Sequence, residues 1–376
     1  MRLARPFRRR RWPWTLLVMA LGGTLALLAR TWLPGMACAV IMAGCAHAAD
    51  GEPVKLSTKM GAGAIRFVFD AEAARVRRKL EAHPPAKPVT SLTGLRYLAD
   101  DETAVLDVHF PQDVADGAKL PVLIWIHGGA WLSGSREDAA RYFQHIAAAG
   151  YTVVAPDYAL APTHRYPTPV RQLNATLDYL RTHAAELHAD VSRIVLAGDS
   201  AGAQLAAQLA AAGSNPAYAA ELGLQPAFTP EVLRGVILHC GVFDLEAMAA
   251  LDNDDSRILS WGTNTMVRAY AGTEAASDPV FRQMSIRHHV TARFPPTWIS
   301  GGNADPLTDA HSRPLAARLR ALGVPVTELF YPADHVPKLA HEYQFDLDQE
   351  DGRNALASTL DFLRRRFDAS ATTPTR

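Results

Sequence analysis

The sequence predicts an α/β protein in which a mostly parallel sheet carries helices on both faces. Strand patterns alternate with helical patterns from residue 103 to residue 367. The segment PVLIWIHG at 121–128 is a continuous apolar run, as in a parallel strand that is buried on both faces. Apolar residues make up 48% of the 376 residues, enough for a large core.

The predicted elements begin with a helix over 62–83, where Ile65, Phe69 and Leu80 fall on one helical face and Pro84 ends the pattern. Strand and helix then alternate to the end of the chain. Strands are predicted at 103–111, 121–128, 151–158, 193–198, 235–244, 296–302 and 326–332, and helices at 136–150, 169–187, 200–213, about 308–322 and about 353–367.

One segment interrupts this alternation. Residues 245–292 separate two strands by more than a crossover helix requires. Because the segment contains Trp261, Met266 and Tyr270, it predicts a folded cap, and a loose loop is the alternative.

The N-terminal segment predicts export. Arg8–Arg11 form a positive region, 15–28 is an apolar stretch short for a membrane span, and small residues suit cleavage after Ala48. Cys45 ends a segment similar to a lipoprotein box. Residues 1–48 therefore predict a signal for a periplasmic or cell-envelope protein, and an uncleaved membrane anchor is the alternative.

The charge and cysteine content exclude several classes of function. Residues 1–48 hold seven arginines and no acid, which leaves 31 basic against 38 acidic residues in the rest. Such a chain is not expected to bind nucleic acid. Cys240 is predicted to be an inert core thiol, and no CxxC pair indicates zinc. His288 and His289 are adjacent and would point apart, so they do not predict a metal site.

The motif GDSAG at 198–202 lies between a strand and an Ala-rich helix, which is the setting of a nucleophile elbow. Gly198 and Gly202 suit a tight turn that a β-carbon would obstruct. The motif predicts Ser200 as a nucleophile at the N-terminus of a helix, where the helix dipole favours developing negative charge.

A second glycine motif, HGGAW at 127–131, follows the strand at 121–126. Adjacent glycines let backbone N–H groups approach a ligand. We predict an oxyanion hole from the N–H groups of Gly128, Gly129 and Ala201. His127 precedes the turn and is interpreted as a residue that organises the loop.

A serine nucleophile needs a base, and the base needs a carboxylate that orients it. Asp305 directly follows the strand at 296–302, whereas Asp309 falls in the first turn of a helix, where an acid has a structural reason to be. We therefore predict Asp305 as the acid. The base should follow the last strand, which leaves His335 and His341 as candidates.

The motifs HGGAW, PDYALAPTHRYP (156–167), GDSAG and GNADPL (302–307), with a late histidine, together resemble the hormone-sensitive-lipase-like esterases (bacterial family IV) of the α/β-hydrolase fold. The resemblance covers about residues 62–367. It implies an eight-stranded sheet, a Ser–Asp–His triad and ester hydrolysis without a cofactor or metal. It places a cap at about 62–90 and 245–292. We predict a hydrolase domain at 49–367, after the leader, and a disordered tail at 368–376, where the sequence is polar.

The chain departs from the family at its histidine, which is usually followed by Gly-Phe; no HGF is present. His335 lies closer to the last strand. His341 has an aromatic residue near the place of the Phe, a better distance to the final helix, and a segment, HEYQF, similar to one in some relatives. We therefore predict His341 as the base, with His335 as the alternative. Ala203 replaces a second family glycine.

The resemblance implies a serine carboxylesterase that acts on small, short-acyl ester molecules through an acyl-enzyme. An amidase or formamidase with the same triad is one alternative, and a non-catalytic hydrolase-fold binding protein is another. The base must be neutral to act, so activity should fall through a pKa near 6.5 if the histidine is unperturbed. Trp131 and Trp261 either shape the pocket or belong to the core.

Overall fold

The computed structural model describes residues 54–250 and 257–368. Its eight strands form one sheet in the order β1-β2-β4-β3-β5-β6-β7-β8. β2 is antiparallel to both of its neighbours, and the other neighbours pair in parallel. The prediction of a mostly parallel, eight-stranded sheet is confirmed. The strands are β1 (Val89–Arg96), β2 (Val105–Pro111), β3 (Leu120–Ile126), β4 (Thr152–Pro156), β5 (Ala189–Asp199), β6 (Leu233–His239), β7 (Thr297–Gly301) and β8 (Val326–Phe330).

Helices connect most of these strands and cover both faces of the sheet. A π-helical turn, Thr308–Ser312, leads into the helix after β7. The α-helices are α1 (Leu56–Glu81), α2 (Ala140–Ala147), α3 (Thr168–Thr182), α4 (Ala201–Ser214), α5 (Pro216–Glu221), α6 (Leu245–Ala249), α7 (Arg257–Ala271), α8 (Pro279–Met284), α9 (Arg313–Ala321) and α10 (Glu350–Asp368).

The apolar run in β3 is explained by burial on both sides. Val122, Ile124 and Ile126 belong to a hydrophobic cluster with residues of α3 and α4. Leu123 and Trp125 point the other way, into a cluster with residues of α2 and α10. Successive side chains of a strand alternate between faces, so a strand with two covered faces is apolar throughout.

Helix α1 begins at Leu56, before the predicted start at 62. Its first turns, LSTKMG, are mostly small or polar, and their two large apolar residues, Leu56 and Met60, are exposed. These turns are fixed by contacts with the 245–292 insertion. Thr58 Oγ1 donates to Glu274 Oε1 at 2.7 Å. A Cβ on Gly61 would lie 2.9 Å from Trp261, so glycine permits the close approach of α1 to α7. The two segments predicted to form a cap therefore lie against each other.

Within its described part, the insertion is folded as α6, α7 and α8 followed by a 3-10 turn at Ile286–His288; residues 251–256 lie outside the description. Trp131, which follows β3, is fully buried and stacks on Tyr270 of α7 with ring centroids 4.7 Å apart. Trp261 is about half exposed. Trp131 is thus a packing contact between the sheet edge and the insertion.

The predictions for the signal or anchor at 1–48 lie outside the described residues, as does the predicted tail after Asp368. In residues 54–250 and 257–368, no helix combines the length and the apolar character needed to cross a membrane.

Candidate active site

Ser200 lies in the turn between β5 and α4, at the carboxyl edge of the sheet. Its backbone angles, φ 52° and ψ −118°, are strained for a non-glycine residue. A Cβ on Gly198 would lie 2.5 Å from Gly202 C, and one on Gly202 would overlap the carbonyl oxygen of Ile126. The two glycines are therefore required because the elbow is pressed against its own helix and against β3.

Ser200, His341 and Asp305 form one hydrogen-bonded chain. His341 Nε2 lies 3.0 Å from Ser200 Oγ, and His341 Nδ1 lies 2.9 Å from Asp305 Oδ2. The Asp305 side chain is almost fully buried, and the His341 side chain is partly exposed. The geometry is that of a nucleophile, a base and an orienting carboxylate.

Two loops that follow neighbouring strands hold His341 against Asp305. Asp305 follows β7, and its Oδ1 accepts the Leu307 N–H at 2.9 Å. His341 follows β8 at a greater distance, and its loop is bound to the Asp305 loop. Leu339 N–H donates to Asn303 Oδ1 at 2.8 Å, and Ala304 N–H donates to Leu339 O at 2.9 Å.

The alternative candidates have other partners. His335 Nε2 lies 2.9 Å from Oδ2 of the buried Asp351, and the His335 ring packs on Tyr331 with centroids 4.4 Å apart. Asp309 is exposed and pairs with Arg313 at 3.0 Å. Neither residue is hydrogen-bonded to Ser200. His335 therefore fixes the loop to the start of α10.

The electrostatic surroundings of His341 favour its charged form. Burial opposes the charge, but the Asp305 carboxylate outweighs it and holds the pKa of His341 well above its ordinary value of 6.5. Burial in turn raises the pKa of the Cys240 thiol to about 11. Cys240 is thus a buried thiol, as predicted, but it contacts the base instead of lying in a remote part of the core.

The prediction of Gly128 as an oxyanion donor is corrected by the structure. Its N–H already donates to Asp199 Oδ2 at 2.8 Å, so this donor is occupied. Gly128 instead allows close packing, because a Cβ there would overlap Asp199 Oδ2 and lie 2.9 Å from Glu342 Oε1. The direction of one N–H group cannot be derived from an HGG motif.

The other predicted donors, Gly129 and Ala201, have no acceptor among the described residues, and neither does the next N–H of the turn, that of Ala130. Gly129 has φ +100°, and a Cβ there would overlap the Ser133 carbonyl. Ala130 and Trp131 also have positive φ. The turn thus leaves two consecutive N–H groups without an internal partner in the described part of the chain, beside the elbow.

Two carboxyl groups near the triad were missed by the sequence analysis. Asp199 is buried beneath the elbow and accepts the Trp125 Nε1–H at 2.7 Å. Glu342, which follows the base directly, has φ 59° and places Oε1 3.7 Å from His341 Nε2. The sequence did contain an indication of Glu342, because it follows His341 directly, where the family that the chain resembles usually has glycine.

The described residues hold two groups of side chains that converge as metal ligands do. Cys240, Asp305 and His341 form one, but the Asp305–His341 hydrogen bond already explains their proximity. Asp244, Glu246 and His288 form the other. Its carboxylates are also paired with arginines, Asp244 with Arg287 and Glu246 with Arg282. His288 and His289 face different partners, Glu246 and the Arg282 carbonyl.

The chain is similar to known esterases. Residues 123–336 match the model of a family described as alpha/beta hydrolase fold. The carboxylesterase NlhH of Mycobacterium tuberculosis is 30% identical over 280 residues, which are 72% of this chain and 82% of NlhH. The esterase LipI of the same organism is 28% identical over 73% of this chain and 83% of LipI.

Among solved structures, esterase B from Lactobacillus rhamnosis is similar, with a TM-score of 0.69 and 21% identity over 85% of this chain and 100% of esterase B. At this identity the similarity shows the fold. The arrangement of strands around Ser200 is therefore shared with a solved α/β structure.

Proposed function

Because this chain belongs to the alpha/beta hydrolase fold family and is a carboxylic ester hydrolase, as its motifs predicted, we propose that Ser200, His341 and Asp305 are its catalytic triad. The single observation that carries the proposal is the hydrogen-bonded chain from Ser200 Oγ through His341 to Asp305. It joins loops after β5, β7 and β8, so distant parts of the sequence converge on one serine.

In the proposed acylation, His341 Nε2 takes the proton of Ser200 Oγ while that oxygen attacks the ester carbonyl. Asp305 keeps Nδ1 protonated and stabilises the imidazolium. The N–H groups of Gly129 and Ala201 bind the oxyanion, together with that of Ala130, since none of these groups has an internal acceptor among the described residues.

The tetrahedral intermediate then releases the alcohol, which takes the proton from His341, and the acyl group remains on Ser200. In the proposed deacylation, water loses a proton to His341 as it attacks the acyl-enzyme. The Ser200 oxygen recovers that proton as the acid leaves. Each half-reaction uses the base once and returns it neutral.

The proposal is tested by measuring kcat/KM for p-nitrophenyl acetate and for the matching anilide, with wild type and Ser200→Ala. We expect ester hydrolysis by the wild type and a loss of about 10³-fold or more in the variant. Retained ester hydrolysis in a folded Ser200→Ala protein would exclude Ser200 as the nucleophile. A higher kcat/KM on the anilide than on the ester would favour an amidase instead.

We also propose that the enzyme prefers short acyl chains, as its resemblance to the family implies. A series of p-nitrophenyl esters from about two to about sixteen acyl carbons measures this preference, because each additional CH₂ that the pocket buries contributes about 0.8 kcal/mol of binding. A kcat/KM maximum at short chains supports the proposal. A rise that continues to the longest chain contradicts it.

A further inference from the structure

The residue after the proposed base lies on the reacting side of the imidazole. Glu342 Oε1 is 3.7 Å from His341 Nε2, the nitrogen that exchanges the proton with Ser200. Asp305 contacts the opposite nitrogen, Nδ1. The ring is therefore held between two carboxyl groups, of which the triad assignment uses one.

Glu342 also lies beside the buried Asp199, which precedes Ser200 in the elbow. A Cβ on Gly128 would overlap Asp199 Oδ2 and would lie 2.9 Å from Glu342 Oε1, so the two carboxyl groups approach each other at this glycine. The other contacts of Asp199 are donors: Trp125 Nε1–H binds Oδ1, and Gly128 N–H binds Oδ2. Two carboxylates in contact repel each other unless one proton lies between them. The geometry thus indicates that one of the two acids, Asp199 or Glu342, is protonated and that its O–H donates a hydrogen bond to the other.

We propose, on the basis of the function proposed above, that Glu342 and Asp199 share one proton and that the negative charge of this pair makes Glu342 a positioning residue for His341, stabilising its imidazolium form from the Nε2 side. No proton passes from His341 to the pair. The charge alone acts, and the proton moves only between Ser200, His341 and the leaving or attacking oxygen.

The protonation of the pair follows from its surroundings. Burial and the adjacent Glu342 raise the pKa of Asp199 to about 8, although the Trp125 hydrogen bond and His127 favour its ionised form. Asp199 therefore keeps a proton at neutral pH. Tyr142 and Tyr158, which also face Asp199, are buried and have raised pKa values, so they add no charge.

Among the residues that the structure describes, few other charged groups face His341, so the charge of Glu342 has a direct electrostatic effect on it. The titratable groups that face His341 in the described part of the chain are Asp305, Cys240 and Glu342, and burial keeps Cys240 a neutral thiol at pH 7 by raising its pKa. Because the two acids share a proton, the pair carries one negative charge. A second negative charge would repel the oxyanion that is proposed to bind at the neighbouring turn. A glycine at 342 would lack this charge.

The test is the pH dependence of kcat/KM on p-nitrophenyl acetate for the full-length protein and for Glu342→Gln. The amide keeps a side chain that can donate to Asp199 but removes the charge. We expect the acid limb to move to lower pH by about half a unit to one unit. An opposite charge at close range shifts a pKa by about one to three units, and solvent screening reduces the shift because Glu342 is partly exposed. We also expect the plateau kcat to fall several-fold.

Two further variants separate charge from structure. Glu342→Gly relieves the positive φ and also removes the charge, so it should show the same shift even if Glu342→Gln folds poorly. Glu350→Gln removes an exposed acid in the first turn of α10 and should leave the limb in place. A lower melting temperature with an unmoved limb in both Glu342 variants would mean a purely structural role and would overturn the proposal.

Ser200→Ala distinguishes this inference from the function on which it rests. If the wild type hydrolyses the ester and Ser200→Ala does not, the proposed function stands, and an unmoved limb in the Glu342 variants overturns the positioning role alone. If Ser200→Ala retains the activity, the proposed function fails first, and the inference fails with it.

Discussion

At the scale of single residues, two histidines six positions apart are given different partners by the fold. His341 lies between Ser200 and Asp305, and His335 lies against Asp351. The strand-to-histidine distance favours His335, whereas the distance to the last helix favours His341. The second distance is the better guide because the segment between β8 and His341 is bound to the Asp305 loop through Leu339.

The first prediction separates these histidines. His341→Ala should lower kcat/KM on p-nitrophenyl acetate by about 10³-fold or more, because the nucleophile loses its base. His335→Ala should keep most of the activity and lose about 1–2 kcal/mol of stability, since Asp351 is left buried without its partner. Enzyme kinetics and urea unfolding measure both effects. Loss of activity in His335→Ala alone would reverse the assignment.

The second prediction concerns pH. As the proposed base, His341 would act only when neutral, and Asp305 holds its pKa well above 6.5. As the pH is lowered, activity should therefore be lost around a pH above 6.5, which is higher than the pH expected for a histidine with an ordinary pKa. A profile of kcat/KM against pH measures this loss. Full activity at pH 6 in the wild type would contradict the raised pKa.

Residue types and order pointed to Ser200 and Asp305 and left two histidines, of which the family resemblance and the distance to the last helix favoured His341. These three side chains are the ones that hydrogen bonds join in the structure. Residue types and order were not sufficient for Gly128, whose N–H direction depends on the position of the Asp199 carboxylate. They also missed Glu342, since contact between residues 199 and 342 arises only when the loops after β5 and β8 meet.

At the scale of elements, the strand–turn–helix around Ser200 is the part that sequence predicts best. Gly198 and Gly202 are needed by local geometry that a short motif already describes. β1 was missed for the opposite reason. It has exposed positions on both faces and no apolar run, and among the described residues it pairs with β2 alone, at the edge of the sheet.

The third prediction tests the elbow. Gly202→Ala places a methyl group over the Ile126 carbonyl, so α4 must move away from β3 and carry Ser200 with it. We expect a loss of about 1–3 kcal/mol of stability and a larger loss of kcat. Gly63→Ala on α1 faces open space and should be neutral or stabilising by up to about 1 kcal/mol. Equal effects of the two changes would argue against the strained elbow.

At the scale of the whole molecule, alternation of strand and helix predicted the sheet. The long insertion predicted a folded cap, and its described part is helical; its role as a cap stays a prediction. The pairing of α1 with α7 was implied by the family resemblance alone. Small residues such as Gly61 give no apolar periodicity, although Gly61 permits a close approach of these two helices.

Export of the protein stays a prediction that belongs to this scale. Residues 1–48 have the charge and apolar pattern of a signal. We expect the protein recovered from the cell envelope or periplasm to begin at Ala49, the residue after the predicted cleavage, or at a lipidated Cys45. Its intact mass measures this. A mass that includes residues 1–48 would indicate an uncleaved anchor.

The central claim is that Ser200 carries the acyl group. The most direct measurement is peptide mass spectrometry of the full-length protein after reaction with a fluorophosphonate. The account predicts one adduct, on the peptide that contains Ser200, and no adduct in Ser200→Ala. An adduct on any other residue, or an unlabelled wild type that still hydrolyses esters, would contradict it.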